Sequence, residues 1–309
     1  MTEKRTGAYR HLRVEVVSAL GANRVFDLEA QAPTRAAYAE ALLELGEQNP
    51  DVVVLDADVS KSVGTNRFAA RFPERSFNFG IAEQNMMAAA AGMATTGLIP
   101  FATTYAVFAS MRALDQVRNS IHYPRLNVKI GASHGGITPG PDGVTHQGQE
   151  DLSIMRAVAG STVIAPADPT STRLATHAAA DWDGPVYLSF TRDPVPVLFE
   201  ENYPFDIGRA VVLREGSDVT VAAIRDLVVQ ALMAAETLAG KGIQARVLDC
   251  QAFLYRVEGD LTGALALQKR VYGIVQTLEE DPAMAFQAAD GLCVIHHLLG
   301  DFRESLRWG

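Results

Sequence analysis

In "FNFGIAEQNMMAAAAGM", residues 77–93, Glu83 is the one carboxylate, and from Gln84 to Met111 the chain carries no charge. Burying an acid in so apolar a stretch is costly unless some group takes its proton or its hydrogen bond. A ring nitrogen would serve, because a carboxyl in an apolar site has a raised pKa and can share its proton. The plain alternative is a helix N-cap or first-turn acid stabilised by the helix dipole. More chemistry lies in "DADVSKS" (Asp58, Ser62), "SHGGITPGPDGVTHQ" (His134, Asp142, His146) and "TRDP" (Arg192). Carboxylate, hydroxyl, imidazole and guanidinium together suit a polyol phosphate, and a Gly-Pro-rich loop at 135–143 would let its backbone approach a ligand closely.

These residues need a frame, and the chain supplies a cadence. "APTRAAYAEALLELGEQNP" predicts an amphipathic helix capped by Thr34 and closed before Pro50. "DVVVLDADV" is a β-branched run without alternation, as expected of a strand covered on both faces. Helix "EQNMMAAAAGMATTG", strand "IPFATTYA", helix "VFASMRALDQVRNSI" and strand "LNVKIGAS" follow. Helix "EDLSIMRAVAG", strand "STVIAPA", helix "PTSTRLATHAAAD" and strand "PVYLSF" continue the pattern. Strand alternating with helix implies an α/β fold with a mostly parallel sheet, whose ligands sit at the carboxyl ends of its strands. The loops named above are expected there. "TRDPVPVLFEENYPF" reads as a linker, and "SDVTVAAI", "DLVVQALMAAETLAGKG" and "QARVLDC" open a smaller α/β domain. The expected layout is an N-terminal extension over 1–33, a main domain over 34–197 and a second domain over 198–309.

A chain of 309 residues is long enough for two cores, and 48% apolar with 20% charged residues argues against disorder. The net charge of −9 disfavours a general nucleic-acid binder, while a local basic pocket could still take a small anion. Cys250 and Cys293 have no metal-ligand spacing around them, so a reducing cytoplasm is the expected compartment. Glu15 interrupts any apolar core in the N-terminal stretch, which is therefore not read as a secretory signal. The uncharged run could span a bilayer by length, but Gly92, Gly97 and Pro100 make it a buried helix, a turn and a strand of a soluble protein.

"FNFGIAEQNMMAAAAGMA", "TTYAVFASMRALDQVRNSI", "LNVKIGASHGGITPGPDGVTHQ" and "VIAPAD", in this order, resemble the thiamine-diphosphate enzymes of the transketolase family. The resemblance covers roughly residues 34–249 and is strongest for split transketolases, whose C-terminal half is a separate chain. It implies a pyrimidine-binding domain, a parallel sheet flanked by helices, followed by a smaller transketolase C-terminal-type domain. It also implies that Glu83 hydrogen-bonds N1′ of the aminopyrimidine and favours the imino tautomer, whose 4′-nitrogen deprotonates thiazolium C2. The resulting ylid attacks a ketose carbonyl; the protein orients the coenzyme and tunes the proton. By the same resemblance Phe108 stacks on the pyrimidine with Tyr105 beside it, and Asp58 lies near the thiamine ring. Arg35, Ser62, His134 and Arg192 match residues that hold the sugar phosphate. Asp142 and His146, counted with Glu83 as catalytic, match contacts to the donor's hydroxyls and reacting oxygens. Two guanidiniums and an imidazole can neutralise a phosphate dianion, with Arg suited to bidentate contact.

The family's Gly-Asp-Gly stretch, which carries Mg²⁺ and the diphosphate, is absent; "PDG", "WDG" and "ADG" each have the wrong first residue. No metal ligand is therefore expected here. The resemblance implies an N-terminal transketolase subunit as partner, an α2β2 heterotetramer, and no activity for this chain alone. Beyond "ARVLDC" the family's Glu-His and "GGLG" segments are missing, so the fold is expected to diverge after about residue 250. His296 and His297 are adjacent, and on a strand would face opposite ways, which argues against a metal pair. The expected activity is transfer of a two-carbon glycolaldehyde unit from a ketose phosphate to an aldose phosphate. The alternatives are a specialised transketolase-like enzyme with an unusual acceptor and a non-catalytic scaffold subunit. Deoxyxylulose-phosphate synthase and the beta subunit of 2-oxo acid dehydrogenases share the fold, but "RNSIHYPRLNVKIGASHGG" looks more like transketolase.

Overall fold

The computed structural model describes residues 15–18, 29–250 and 252–254. Its elements begin with β1 (Glu15–Ser18), β2 (Gln31–Pro33), α1 (Thr34–Gln48), β3 (Val52–Asp56), α2 (Ser60–Val63), α3 (Asn66–Arg71) and β4 (Ser76–Asn78). Next come α4 (Glu83–Ala94), β5 (Ile99–Tyr105), α5 (Leu114–Gln116), β6 (Lys129–Ser133), α6 (Asp151–Ala157), β7 (Thr162–Ile164), α7 (Pro169–Asp181) and β8 (Val186–Ser189). The last are β9 (Pro194–Pro196), β10 (Arg209–Arg214), β11 (Val219–Ala223), α8 (Leu227–Ala239), β12 (Ala245–Asp249) and β13 (Ala252–Leu254). All of them fall in one contact unit, Val14–Tyr255. Cys293, His296, His297 and the divergent tail beyond Leu254 lie outside the described residues.

The run VVVLD is buried at every position because β3 belongs to a sheet covered on both faces. Its side chains alternate: Val53 and Leu55 pack with Met86, Met87, Ala102 and Ile130, while Val52 and Val54 pack with Tyr38, Leu42, Phe101 and Phe190. The sheet has seven strands in the order β13-β7-β8-β6-β5-β3-β4. Every neighbouring pair is parallel except β13 with β7. This is the parallel α/β sheet that the cadence implied. The uncharged run divides as expected into α4, a turn at Gly97 with φ +94°, and β5. Among the described residues no helix is long and apolar enough to cross a membrane.

Three local features differ from expectation. Thr34 does not cap α1 with its side chain; its hydroxyl donates to the Thr191 carbonyl at 3.0 Å, so a partner far along the chain wins over the local cap. "VFASMRALDQVRNSI" forms two wide π-helical turns, Phe108–Arg112 and Val117–His122, around the short α5, and not a regular α-helix. Wide turns of this kind are concentrated at functional sites. The presumed linker and extension also carry strands: β9 pairs with β2, and β1 adds a parallel edge to the second sheet, β1-β10-β12-β11. The second sheet buries Val211, Leu213, Val228, Ala235 and Val247 as its own core. Asp168 caps α7 through the Ser171 amide and also takes the Leu198 and Phe199 amides, which anchors the segment between the two sheets.

Gly131 in β6 makes room for Tyr38, whose hydroxyl hydrogen-bonds Thr103 Oγ1 at 2.8 Å in the interior. A methyl group at 131 would overlap that hydroxyl. Gly131→Ala is therefore expected to lower unfolding stability by about 1–3 kcal/mol, as read by a shifted denaturant midpoint at unchanged slope.

Candidate active site

β3, β5, β6 and β8 are successive parallel neighbours, so their carboxyl ends share one edge of the sheet. The chain leaving that edge carries Asp58, Ser62, Tyr105, Phe108, His134 and Arg192, as the loop positions implied.

Glu83 is the first residue of α4 and only 1% exposed. It is not alone. Arg112 Nη1 donates to Glu83 Oε1 at 3.0 Å and to Oε2 at 2.9 Å. The same guanidinium lies over the Phe108 ring, 4.2 Å from its centroid. The expectation of an acid without a neighbouring charge is thus corrected: Arg112 is the first charge after the uncharged run, and the wide turn from Phe108 brings it back onto Glu83. Glu83 is also the acid in the first turn of α4, the position that the plain alternative gave it.

The aromatic groups converge. Tyr105 stacks on His134 with centroids 3.9 Å apart and lies 5.9 Å from Phe108. The His146 ring meets Phe108 edge-on at 5.4 Å. Tyr105 Oη donates to Ser62 Oγ at 2.9 Å, and the Ser62 carbonyl accepts from Arg35 Nη1 at 2.7 Å. His134 is fully buried at φ +64°, with Nδ1 against Ser133 Oγ at 2.8 Å. Among the described residues its buried Nε2 has no hydrogen-bond partner. Burial pulls the His134 pKa down to about 4, helped by the charges of Arg35 and Arg192. The imidazole is therefore neutral near pH 7 and can offer a hydrogen bond, not the positive charge expected of it.

Asp142 and His146 sit on single 3₁₀ turns, Gly140–Asp142 and Val144–His146. Their loop is closed at its neck where the Gly136 amide donates to the Gly148 carbonyl at 2.8 Å. Arg192 Nε lies 3.6 Å from Asp142 Oδ2, and its Nη1 is 3.2 Å from Asp193. Asp58 is exposed at φ +65° and accepts from Asn78 at 3.3 Å. Among the described residues no hydrogen bond or ion pair ties it to the aromatic cluster or to Arg35. Among the described residues no group of three or more His, Cys, Asp or Glu could hold a metal ion.

Comparison with known proteins bears directly on this constellation. The transketolase pyrimidine-binding domain matches residues 30–197, and the transketolase C-terminal domain matches residues 208–285. A protein of Methanocaldococcus jannaschii described as a transketolase C-terminal section is 46% identical over 217 residues, 70% of this chain and 69% of its own. The 6-deoxy-6-sulfo-D-fructose transketolase subunit SqwH of Clostridium sp. (strain MSTE9) is 44% identical over 215 residues, 70% of this chain and 67% of its own. A solved split-gene transketolase, an inactive beta4 tetramer, is 50% identical with a TM-score of 0.67, and the match covers 72% of each chain. Since the first domain match alone spans more than half of the sequence and contains Glu83, Phe108 and the loops at the sheet edge, the chain belongs to the transketolase family.

Proposed function

We propose that this chain supplies the pyrimidine and sugar-phosphate side of a thiamine-diphosphate-dependent transketolase. The reaction moves a two-carbon glycolaldehyde unit from a ketose phosphate to an aldose phosphate. The observation that carries the reading is the pairing of a buried Glu83 with the face of Phe108, already filled by one planar, N–H-bearing group, the Arg112 guanidinium. A site that holds a flat donor between an acid and an aromatic face fits an aminopyrimidine. When bound, thiamine diphosphate would supply the nucleophilic carbon and the electron sink. Glu83 would hold the ring and carry a proton at its carboxylate, and Phe108 would fix the ring plane. Arg35, Arg192, Ser62 and the free His134 Nε2 would bind the phosphate, while Asp142 and His146 reach the donor's hydroxyls and reacting oxygens.

No Gly-Asp-Gly stretch occurs in the sequence, so we assign the diphosphate and Mg²⁺ to an N-terminal transketolase subunit in an α2β2 assembly. The solved relative that is an inactive beta4 tetramer supports this, as a C-terminal chain without its partner would be idle. The cysteine usage suits a cytoplasmic location. Co-purification with an N-terminal subunit, native mass measurement, assay of bound thiamine diphosphate and turnover of xylulose 5-phosphate test the reading together. A complex that binds the coenzyme yet moves no ketol unit would refute it, as would a complex without coenzyme, which would favour a scaffold. A second reading is a specialised enzyme with an unusual sugar substrate: the relative named for a sulfonated ketose favours a donor whose anion is not phosphate, distinguished by assaying phosphorylated against sulfonated and uncharged ketoses.

Arg112 opposes the coenzyme. Its guanidinium pairs with Glu83 and covers Phe108, so a ring can enter only when Arg112 withdraws. Arg112→Ala is expected to tighten coenzyme binding to the assembled protein about five- to tenfold, measured by calorimetric titration. Unchanged or weaker binding would show that Arg112 stays on Glu83 in the loaded site.

A further inference from the structure

Arg225 sits between β11 and α8, in the half of the chain that belongs to the second sheet. Its φ of +52° is a conformation that a long side chain adopts at a cost. Its backbone N–H donates to the Ala165 carbonyl at 3.2 Å, just past the end of β7. The guanidinium is buried, with the side chain 9% exposed and its charge on the fully buried Asp151 at 2.5 Å. The same Nη2 donates to Ser189 Oγ. Asp151 Oδ2 accepts in addition from Ser189 Oγ at 2.6 Å and from Tyr187 Oη at 3.2 Å.

This cluster lies directly under the site. A Cβ on Gly135 would come within 2.8 Å of Arg225 Cζ, so the guanidinium rests against the loop backbone next to His134. Gly135 and Gly136 both pair with Gly148 to form the neck of the loop that carries Asp142 and His146. Asp151 follows that neck at the start of α6, and Ser189 ends β8 shortly before Arg192. One side chain from the connection between β11 and α8 thus braces the loop's entry, its exit and the strand end behind Arg192. A sparsely populated backbone conformation retained for such a contact points to function.

We propose that Arg225 is a positioning residue of the substrate site, a buried strut through which the C-terminal domain sets the neck of the 134–148 loop and the strand end behind Arg192. The proposal rests on the substrate roles assigned above to His134, Asp142, His146 and Arg192. Loss of the strut leaves each binding group in place and loosens their spacing, and displacements near 1 Å in such groups cost up to about a hundredfold in rate.

Removing Arg225 alone would leave Asp151 as an uncompensated buried charge and could unfold the chain. The test therefore uses Arg225→Gly with Asp151→Asn, which relieves the backbone and removes the orphaned charge, beside the conservative Arg225→Lys. Hydrogen exchange on the full chain is expected to quicken about tenfold or more across 134–148 in the double variant, with α1 and α7 unchanged. In the two-chain enzyme, kcat/KM for the phosphorylated ketose should fall about ten- to hundredfold with KM raised at least about tenfold, and Arg225→Lys should recover part of the loss. Unchanged exchange in the loop, or an unchanged KM beside a lowered Tm, overturns the proposal in favour of a purely structural ion pair. If the wild-type complex moves no ketol group, the proposed function fails, and the exchange result alone then decides the role of Arg225.

Discussion

Glu83→Gln is expected to lower kcat by about a thousandfold in the two-chain enzyme while assembly and chain stability stay near wild type. Gln keeps the shape and can still accept the Arg112 hydrogen bond, but it cannot carry a proton to a ring nitrogen. Positioned acid–base groups contribute roughly 10²–10⁴-fold, which sets the scale. Glu83→Ala would be a poorer probe, because it also strips Arg112 of its partner. Steady-state turnover with saturating coenzyme, together with native mass of the complex, decides the matter. Wild-type turnover in Glu83→Gln would remove the assigned role and leave the residue as a buried first-turn acid.

Arg192→Ala is expected to raise KM for a phosphorylated ketose by about a hundredfold, since a hydrogen bond to a charged group contributes about 1.5–3 kcal/mol. A non-phosphorylated donor should be nearly indifferent to the change. Arg192→Lys should recover only part of the loss, because an ammonium keeps the charge without the planar fork. Steady-state kinetics with paired donors reads both effects, and raised salt should weaken phosphate binding in wild type more than in Arg192→Ala. The same geometry offers a competing result: Arg192 Nε stands 3.6 Å from Asp142. Equal losses with both donors would mean that Arg192 acts by holding Asp142 and not by binding phosphate.

Local pattern is informative about the acid and silent about its partner. Glu83 stood out because nothing charged surrounds it in sequence, and the structure does bury it at a helix start. Arg112, its ion-pair partner, carried no signal, since the wide turn that returns it cannot be told from an ordinary helix by apolar spacing. His134 was legible as an imidazole just past a strand end. Its neutrality was not, because that depends on burial and on Arg35 and Arg192 arriving from other strands.

By itself the sequence determined the succession of strands and helices, the doubly covered β3, the shared edge at which the loops gather, and the family. All of these rest on side-chain periodicity, on backbone preferences of Gly and Pro, and on short motifs, which act between residues close in the chain. Tertiary structure alone decided that Thr34 bonds Thr191, that Arg112 covers Glu83 and Phe108, and that Arg225 reaches Asp151 and the neck at Gly135. Those contacts join residues brought together by the packing of whole elements, where directions of side chains and depths of burial, and not their order along the chain, select the partner.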